Sequence, residues 1–151
     1  MIMRFILIGI VAALAGCAGN QTPLNYTSPS GSPTITVSDK SQDEVKSSII
    51  TECLNEGWQI KDQGSVLICW NEMEVMKAAF AQALIGNSYS TTPTINREMV
   101  ITKSGNDVTV VGAQVWMETQ MAFGQLQKQN IVSNESKNDF YNFLMRVKYQ
   151  K

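Results

Sequence analysis

At 151 residues the chain has room for one domain with a core of its own, so neither a metal nor a lattice of disulfides is needed to hold it together. Twelve Lys and Arg against thirteen Asp and Glu give a net charge of −1, mixed in sign along the chain apart from a mild basic cluster at Arg146, Lys148 and Lys151, which argues against a nucleic-acid partner. Histidine is absent, which removes the usual general base near neutral pH and the commonest metal ligand and lowers the expectation of an enzyme.

The chain opens with Arg4, an apolar run from Phe5 to Gly16 and then Cys17. A positive start, a short apolar stretch and small residues at its end are the features of a secretory signal, and the run is too short to span a bilayer, which takes roughly 20 apolar residues. Leu14-Ala15-Gly16-Cys17 resembles the lipobox of bacterial lipoproteins. The resemblance implies that the Cys17 thiol receives a diacylglycerol, that residues 1–16 are cut away and that the new amino terminus is acylated. The next residue is Ala18 and not the Asp that marks inner-membrane retention in enterobacterial lipoproteins, so by the family rule the expected address is the outer membrane. Two or three acyl chains, at about 0.8 kcal/mol per buried methylene, would hold such a protein permanently.

Residues 17–33 carry three of the four prolines and are otherwise rich in Ser, Thr, Asn and Gly. Such a segment buries too little apolar surface to offset its ordering entropy, and it reads as the lipidated cysteine followed by a flexible tether, roughly 20 Å long on average. The remainder, 34–151, reads as a single α+β domain. Thr34 to Ser38 alternates with Ile35 and Val37 on one face, a short strand. A helix is predicted next, with Ser41 and Glu44 as a capping box, Val45, Ile49 and Cys53 on its inner face and Gly57 as its stop. Trp58 to Lys61 alternates, Asp62 to Gly64 turns, and Ser65 to Trp70 is a buried strand.

A second helix is predicted over Glu72–Ile85, with Met76, Phe80, Ala83 and Leu84 on one face and Gly86-Asn87 as its end. Two strands follow, about 95–103 and 108–118, joined at Ser104-Gly105-Asn106-Asp107, where Gly-Asn between β-branched runs is a hairpin signal. A further strand from about 119 or 120 to 132 is interrupted by Gly124, which implies a bulge or a bend. The last helix begins near Ser136 or Asn138, with Phe140, Phe143, Leu144 and Val147 as its apolar stripe. The order gives a mostly antiparallel sheet with helices packed on one face. It is similar to the helix-grip domains of an accessory lipoprotein of the outer-membrane β-barrel assembly machinery. Over about 41–147 it also resembles small uncharacterised lipoproteins of proteobacteria and their prophages, which share a helix with a cysteine, a strand with a cysteine and a segment like Gln120-Met-Ala-Phe-Gly-Gln125. Neither resemblance implies a catalytic residue or a cofactor.

Three sets of side chains are candidates for chemistry or binding. Cys53 and Cys69 are an even pair in a chain expected to face the oxidising periplasm, which favours a disulfide over two buried thiols. No metal site is expected, since lipidation of Cys17 would leave no third thiol and there is no Cys-x-x-Cys. Glu52 with Glu56, or Glu72 with Glu74, have a spacing that a glycosidase pair would need, but on a helix such residues more often form a solvated face. Met121 and Phe123, in the low-charge stretch 117–126, are either an adaptable interface or an ordinary core strand with a bulge. The expected function is a non-catalytic binding module on the outer membrane, its domain facing the periplasm or the cell surface, with another envelope protein or itself as partner. The alternatives are a carrier of a small apolar ligand, held between sheet and last helix among Phe140, Phe143, Trp116 and Phe123, and an envelope hydrolase.

Overall fold

The computed structural model describes residues 22–74, 77–79, 81, 83 and 91–150. The lipobox lies outside them, as do Met76, Phe80, Leu84, Ile85 and the Gly86-Asn87 stop. The domain is α+β with a six-stranded antiparallel sheet. Strand β1 (Thr34–Ser38) points Ile35 and Val37 inward, and Asp39 in a left-handed conformation (φ 61°) turns the chain into α1 (Gln42–Asn55).

Local chemistry sets both ends of α1. The Ser41 N–H donates to Glu44 Oε2 at 2.6 Å while the Glu44 N–H donates to Ser41 Oγ at 3.2 Å, which completes the capping box. These bonds, the Ser41 backbone first, hold the Glu44 carboxyl below the ordinary glutamate range. At the other end Gly57 takes φ +77°, its N–H reaching Leu54 O at 2.9 Å and that of Trp58 reaching Cys53 O at 2.9 Å. That pair of bonds is a Schellman cap, which needs a residue without a Cβ at its left-handed position.

Strands β2 (Gln59–Asp62) and β3 (Val66–Glu72) form a hairpin whose turn is pinned by the Gly64 N–H on Asp62 Oδ1 at 2.9 Å. Lys46, 2.7 Å from the same carboxylate, ties α1 to this turn, and the Lys46 contact with the Gly64 bond lowers the Asp62 pKa. Glu72 belongs to β3, so the helix predicted from Glu72 starts later: residues 77–79, 81 and 83 are helical. The ladder with the following strand continues through Asn71 and Glu72, which pair with Ile95 and Thr94, and keeps the strand going. The buried side of this helical stretch carries Ala78 and Ala81, while Ala83, expected on the apolar face, is exposed.

The long strands β4 (Thr94–Ser104) and β5 (Asp107–Gln120) meet at the predicted turn, with Gly105 at φ +61°. Their register shifts between Glu98, opposite Gln114, and Met99, opposite Gly112, so Ala113 is an extra residue in β5. The sheet order is β2-β3-β4-β5, and the far edge of β5 carries two strands end to end. β1 pairs with Asp107 to Val111 and β6 (Leu126–Asn130) with Trp116 to Gln120. Between them the Gly112 N–H donates to Pro33 O and the Ile131 N–H to Val115 O, each at 2.8 Å, and among the described residues Ala113 and Gln114 have no strand partner on that side.

Helix α2 (Asn134–Tyr149) starts earlier than predicted, because the Ser133 hydroxyl accepts from the Ser136 N–H and caps it. Its predicted stripe, Phe140, Phe143, Leu144 and Val147, is fully buried. With Val45, Ile49 and Cys53 of α1 it covers one face of the sheet and meets Leu67, Met99, Ile101, Val108 and Val110. Gly112 permits the closest approach: a Cβ there would lie 2.8 Å from Phe140 Cε1. Gly112→Ala should therefore cost about 1–3 kcal/mol through overpacking, read as a fall in denaturant midpoint. Phe140→Leu, added to it, should recover part of the loss.

Residues 23–26, within the segment expected to be a tether, lie against α2. The Asn25 N–H donates to Asn138 Oδ1 at 2.9 Å, Asn138 Nδ2 to Pro23 O at 2.8 Å, and Asn25 Nδ2 to Asn142 Oδ1 at 3.0 Å. Tyr26 stacks on Tyr141 with ring centroids 4.9 Å apart. The composition suggests a loose coil because these partners lie more than a hundred residues away in sequence.

Candidate interface at the β5–β6 hairpin

The far end of β5 is braced before it turns. The Thr91 N–H donates to Gln120 O at 2.9 Å, Thr91 Oγ1 accepts from the Gln120 N–H at 3.0 Å, and Thr119, buried, donates its hydroxyl to Thr91 O at 2.8 Å. From this base the chain leaves the sheet at Met121, makes a single 3₁₀ turn over Ala122–Gly124 and returns as β6. The Met121 N–H closes the turn onto Gln125 O at 2.7 Å, and that of Gly124 reaches Met121 O at 3.1 Å.

Two consecutive residues of this turn are left-handed, Phe123 at φ 68° and Gly124 at φ 79°. Gly124 accepts that conformation without cost, whereas a bulky L-residue is disfavoured there by about 1–2 kcal/mol. Phe123 is also fully exposed, at 103 % of its reference area, so no buried contact offsets the strain. Among the described residues nothing packs over the phenyl ring. Strain without a structural return is the pattern seen where a side chain is presented for binding. The core-strand reading of this stretch is thereby overturned for Phe123. Met121 is half-buried at the base of the turn, so the two predicted anchors share one turn but only one of them stands free.

Sequence reasoning missed Leu126, 65 % exposed and opposite Gln120 in the ladder, which adds a second apolar side chain beside the turn. It begins a strand whose five residues are all exposed and whose outer edge has no partner among the described residues. Lys128 at its centre lies 3.9 Å from the Trp116 ring, within cation–π range, and 3.4 Å from Gln114 Oε1. The hairpin thus offers a strand edge, a protruding aromatic ring and one cation. Compared with protein families and with curated proteins, the chain matches none.

The other candidate residues fall elsewhere. Cys53, in the last turns of α1, and Cys69, in the middle of β3, lie at disulfide distance with Cα atoms 6.2 Å apart. Glu52 is half-buried and Glu56 exposed, and both lie at the surface in ion pairs. Arg146 of α2 pairs with both, and Arg97 of β4 reaches Glu56 at 2.8 Å while its guanidinium stacks 4.2 Å over Trp58. Each carboxylate is thus already engaged by a cation, in a bridge that joins α1, α2 and the sheet. Glu72 and Glu74 are exposed, the latter 3.3 Å from Lys77. No group of three or more metal-ligating side chains is found among the described residues.

A cavity of about 430 Å³ opens where β1 and β6 part, lined by Ser30 to Pro33, Gly112 to Val115, Asn130 to Val132 and Ser136, Lys137 and Phe140. The aromatics expected to line a carrier's groove do not gather here. Phe143 is buried in the core, Trp116 on the other face of the sheet and Phe123 at the hairpin tip.

Proposed function

We propose that this chain is an envelope lipoprotein, anchored in the outer membrane through Cys17, which acts by binding a different envelope protein at the β5–β6 hairpin and not by catalysis. The observation that carries the binding half is Phe123, strained, wholly exposed and set on a braced base. The lipobox-like Leu14-Ala15-Gly16-Cys17 supports the anchor. Among the described residues no helix is long and apolar enough to cross a membrane, so attachment by lipid is consistent with the fold.

Recognition would follow strand addition. A partner strand pairs along Leu126–Asn130, main-chain bonds give affinity, and Phe123 and Leu126 enter apolar pockets on the partner. A second copy of this chain fits less well. A two-fold axis through the middle of β6 would set Lys128 against Lys128, and like charges directly opposite in a ladder are destabilising. A photoreactive Phe123→p-benzoylphenylalanine in intact cells should therefore give one heterologous adduct, absent with the same probe at Thr51 on α1. Adducts of equal yield at both positions, or only with the chain itself, would overturn the reading.

The anchor is tested separately. Cys17→Ser should abolish palmitate incorporation and leave the signal segment attached, which is read as a larger precursor on denaturing gels. Labelling that persists in this variant would refute lipidation at Cys17.

A further inference from the structure

We propose that residues 22–33 form a strap holding the domain down on the membrane, with the N-terminal half of α2 as the membrane-facing end, so that the hairpin's partner is a protein of that same membrane or its surface. This inference rests on the lipid-anchored reading above. Its starting point is the docking of the strap. Asn138 clamps the chain from both sides, accepting from Asn25 and donating to Pro23, while Asn142 takes the Asn25 side chain and Tyr141 stacks on Tyr26. Positions 138, 141 and 142 share one flank of α2 at helical spacing. The Tyr26 hydroxyl then donates to Gly31 O at 3.0 Å, and Pro33 O receives the Gly112 N–H as the strap enters β1. Its three prolines lower the entropy lost on docking, because they have little backbone freedom to lose.

The consequence is a short leash. Only residues 18–22 separate the anchoring cysteine from Pro23, and a covalent chain of that length spans at most about 20 Å even when fully extended. A free segment running to Pro33 would reach roughly 55 Å by the same measure. Pro23 is bonded to Asn138, so the first turns of α2 stay within about 20 Å of the lipidated residue. The exposed apolar residues at this end are Leu24 and Val132, at 38 % and 72 %, and Val132 borders the same cavity as Ser30–Pro33 and Lys137. β6 leads away from Val132 to the hairpin, and its five residues span about 17 Å. The short leash thus keeps the hairpin within reach of the bilayer, where a partner embedded in it or lying on it can meet Phe123.

The test uses the full-length lipidated chain in vesicles of phosphatidylethanolamine and phosphatidylglycerol. A benzophenone side chain is placed at Val132 or, on the opposite edge of the sheet, at Gln63, and lipid adducts are counted by mass. The Val132 probe should give at least a five-fold higher yield. In the strap-release variant Tyr26→Ala/Asn138→Ala, which removes the amide that holds both the Asn25 N–H and the Pro23 carbonyl and the ring stacked on Tyr141, and whose folding is checked by its melt, the two yields should converge. Equal yields in the unaltered strap, or a difference that persists after release, would overturn the inference. Palmitate labelling of the same preparation separates the two claims. A labelled chain with equal yields refutes the strap alone, and an unlabelled chain refutes the anchor and the strap together.

Discussion

A Phe123→Ala variant will melt with the native domain and lose its partner. The ring has no buried area to forfeit, so the 3–5 kcal/mol that a core phenylalanine costs on truncation does not apply here. Alanine is as strained as phenylalanine at φ 68°, so stability should stay within about 0.5 kcal/mol. Phe123→Gly relieves the left-handed strain and should raise stability by up to about 1 kcal/mol while losing binding equally. An aromatic anchor at the centre of an interface is worth about 2 kcal/mol or more, so affinity for the crosslinked partner should fall at least about thirty-fold in both variants. Leu126→Ala, at the side of the patch, should cost less. Unchanged affinity with an unchanged melt would remove Phe123 from the interface, and an early melt would mean the ring packs against something in solution.

What was legible in the sequence is what short-range chemistry decides. Ser41 with Glu44, Gly57, Asp62 with Gly64 and the Gly105-Asn106 turn all act within a few residues of their partners, and each sits where its residue types require. The stripe from Phe140 to Val147 was equally plain, since helical spacing alone defines the face it buries. The long-range pairings were not readable. Nothing in β5 announces that one of its edges is shared by two strands, because that depends on where β1 and β6 arrive. The cations that pair with Glu52 and Glu56 were not readable either, because Arg97 and Arg146 lie some forty and ninety residues away. The hairpin was half legible. Gly124 signalled a break, but the left-handed residue that matters is its neighbour, and a phenylalanine carries no local sign that it will adopt that conformation.

Removing the Cys53–Cys69 bond with a Cys53→Ala/Cys69→Ala double variant should cost about 3 kcal/mol, the chain-entropy value for a loop of this length. For a domain of this size that is a fall in melting temperature of about 10 °C. Both cysteines are 1 % exposed, so in the folded protein the bond should resist reductant, and alkylation after denaturing without reductant should find neither thiol. Each single variant should lose nearly as much as the double, since either change removes the whole cross-link. The loss should also be local. The bond fastens the end of α1 to the centre of the sheet, beside the turn where Glu52 and Glu56 meet Arg146 and Arg97. Without it the capped C-terminal end of α1 is held by surface ion pairs and one apolar face, so amide exchange should accelerate first between Ile49 and Gly57 while β4 and β5 stay protected. Two alkylated thiols in freshly isolated protein, or a double variant melting within a degree or two of the native domain, would show that the fold does not depend on this cross-link.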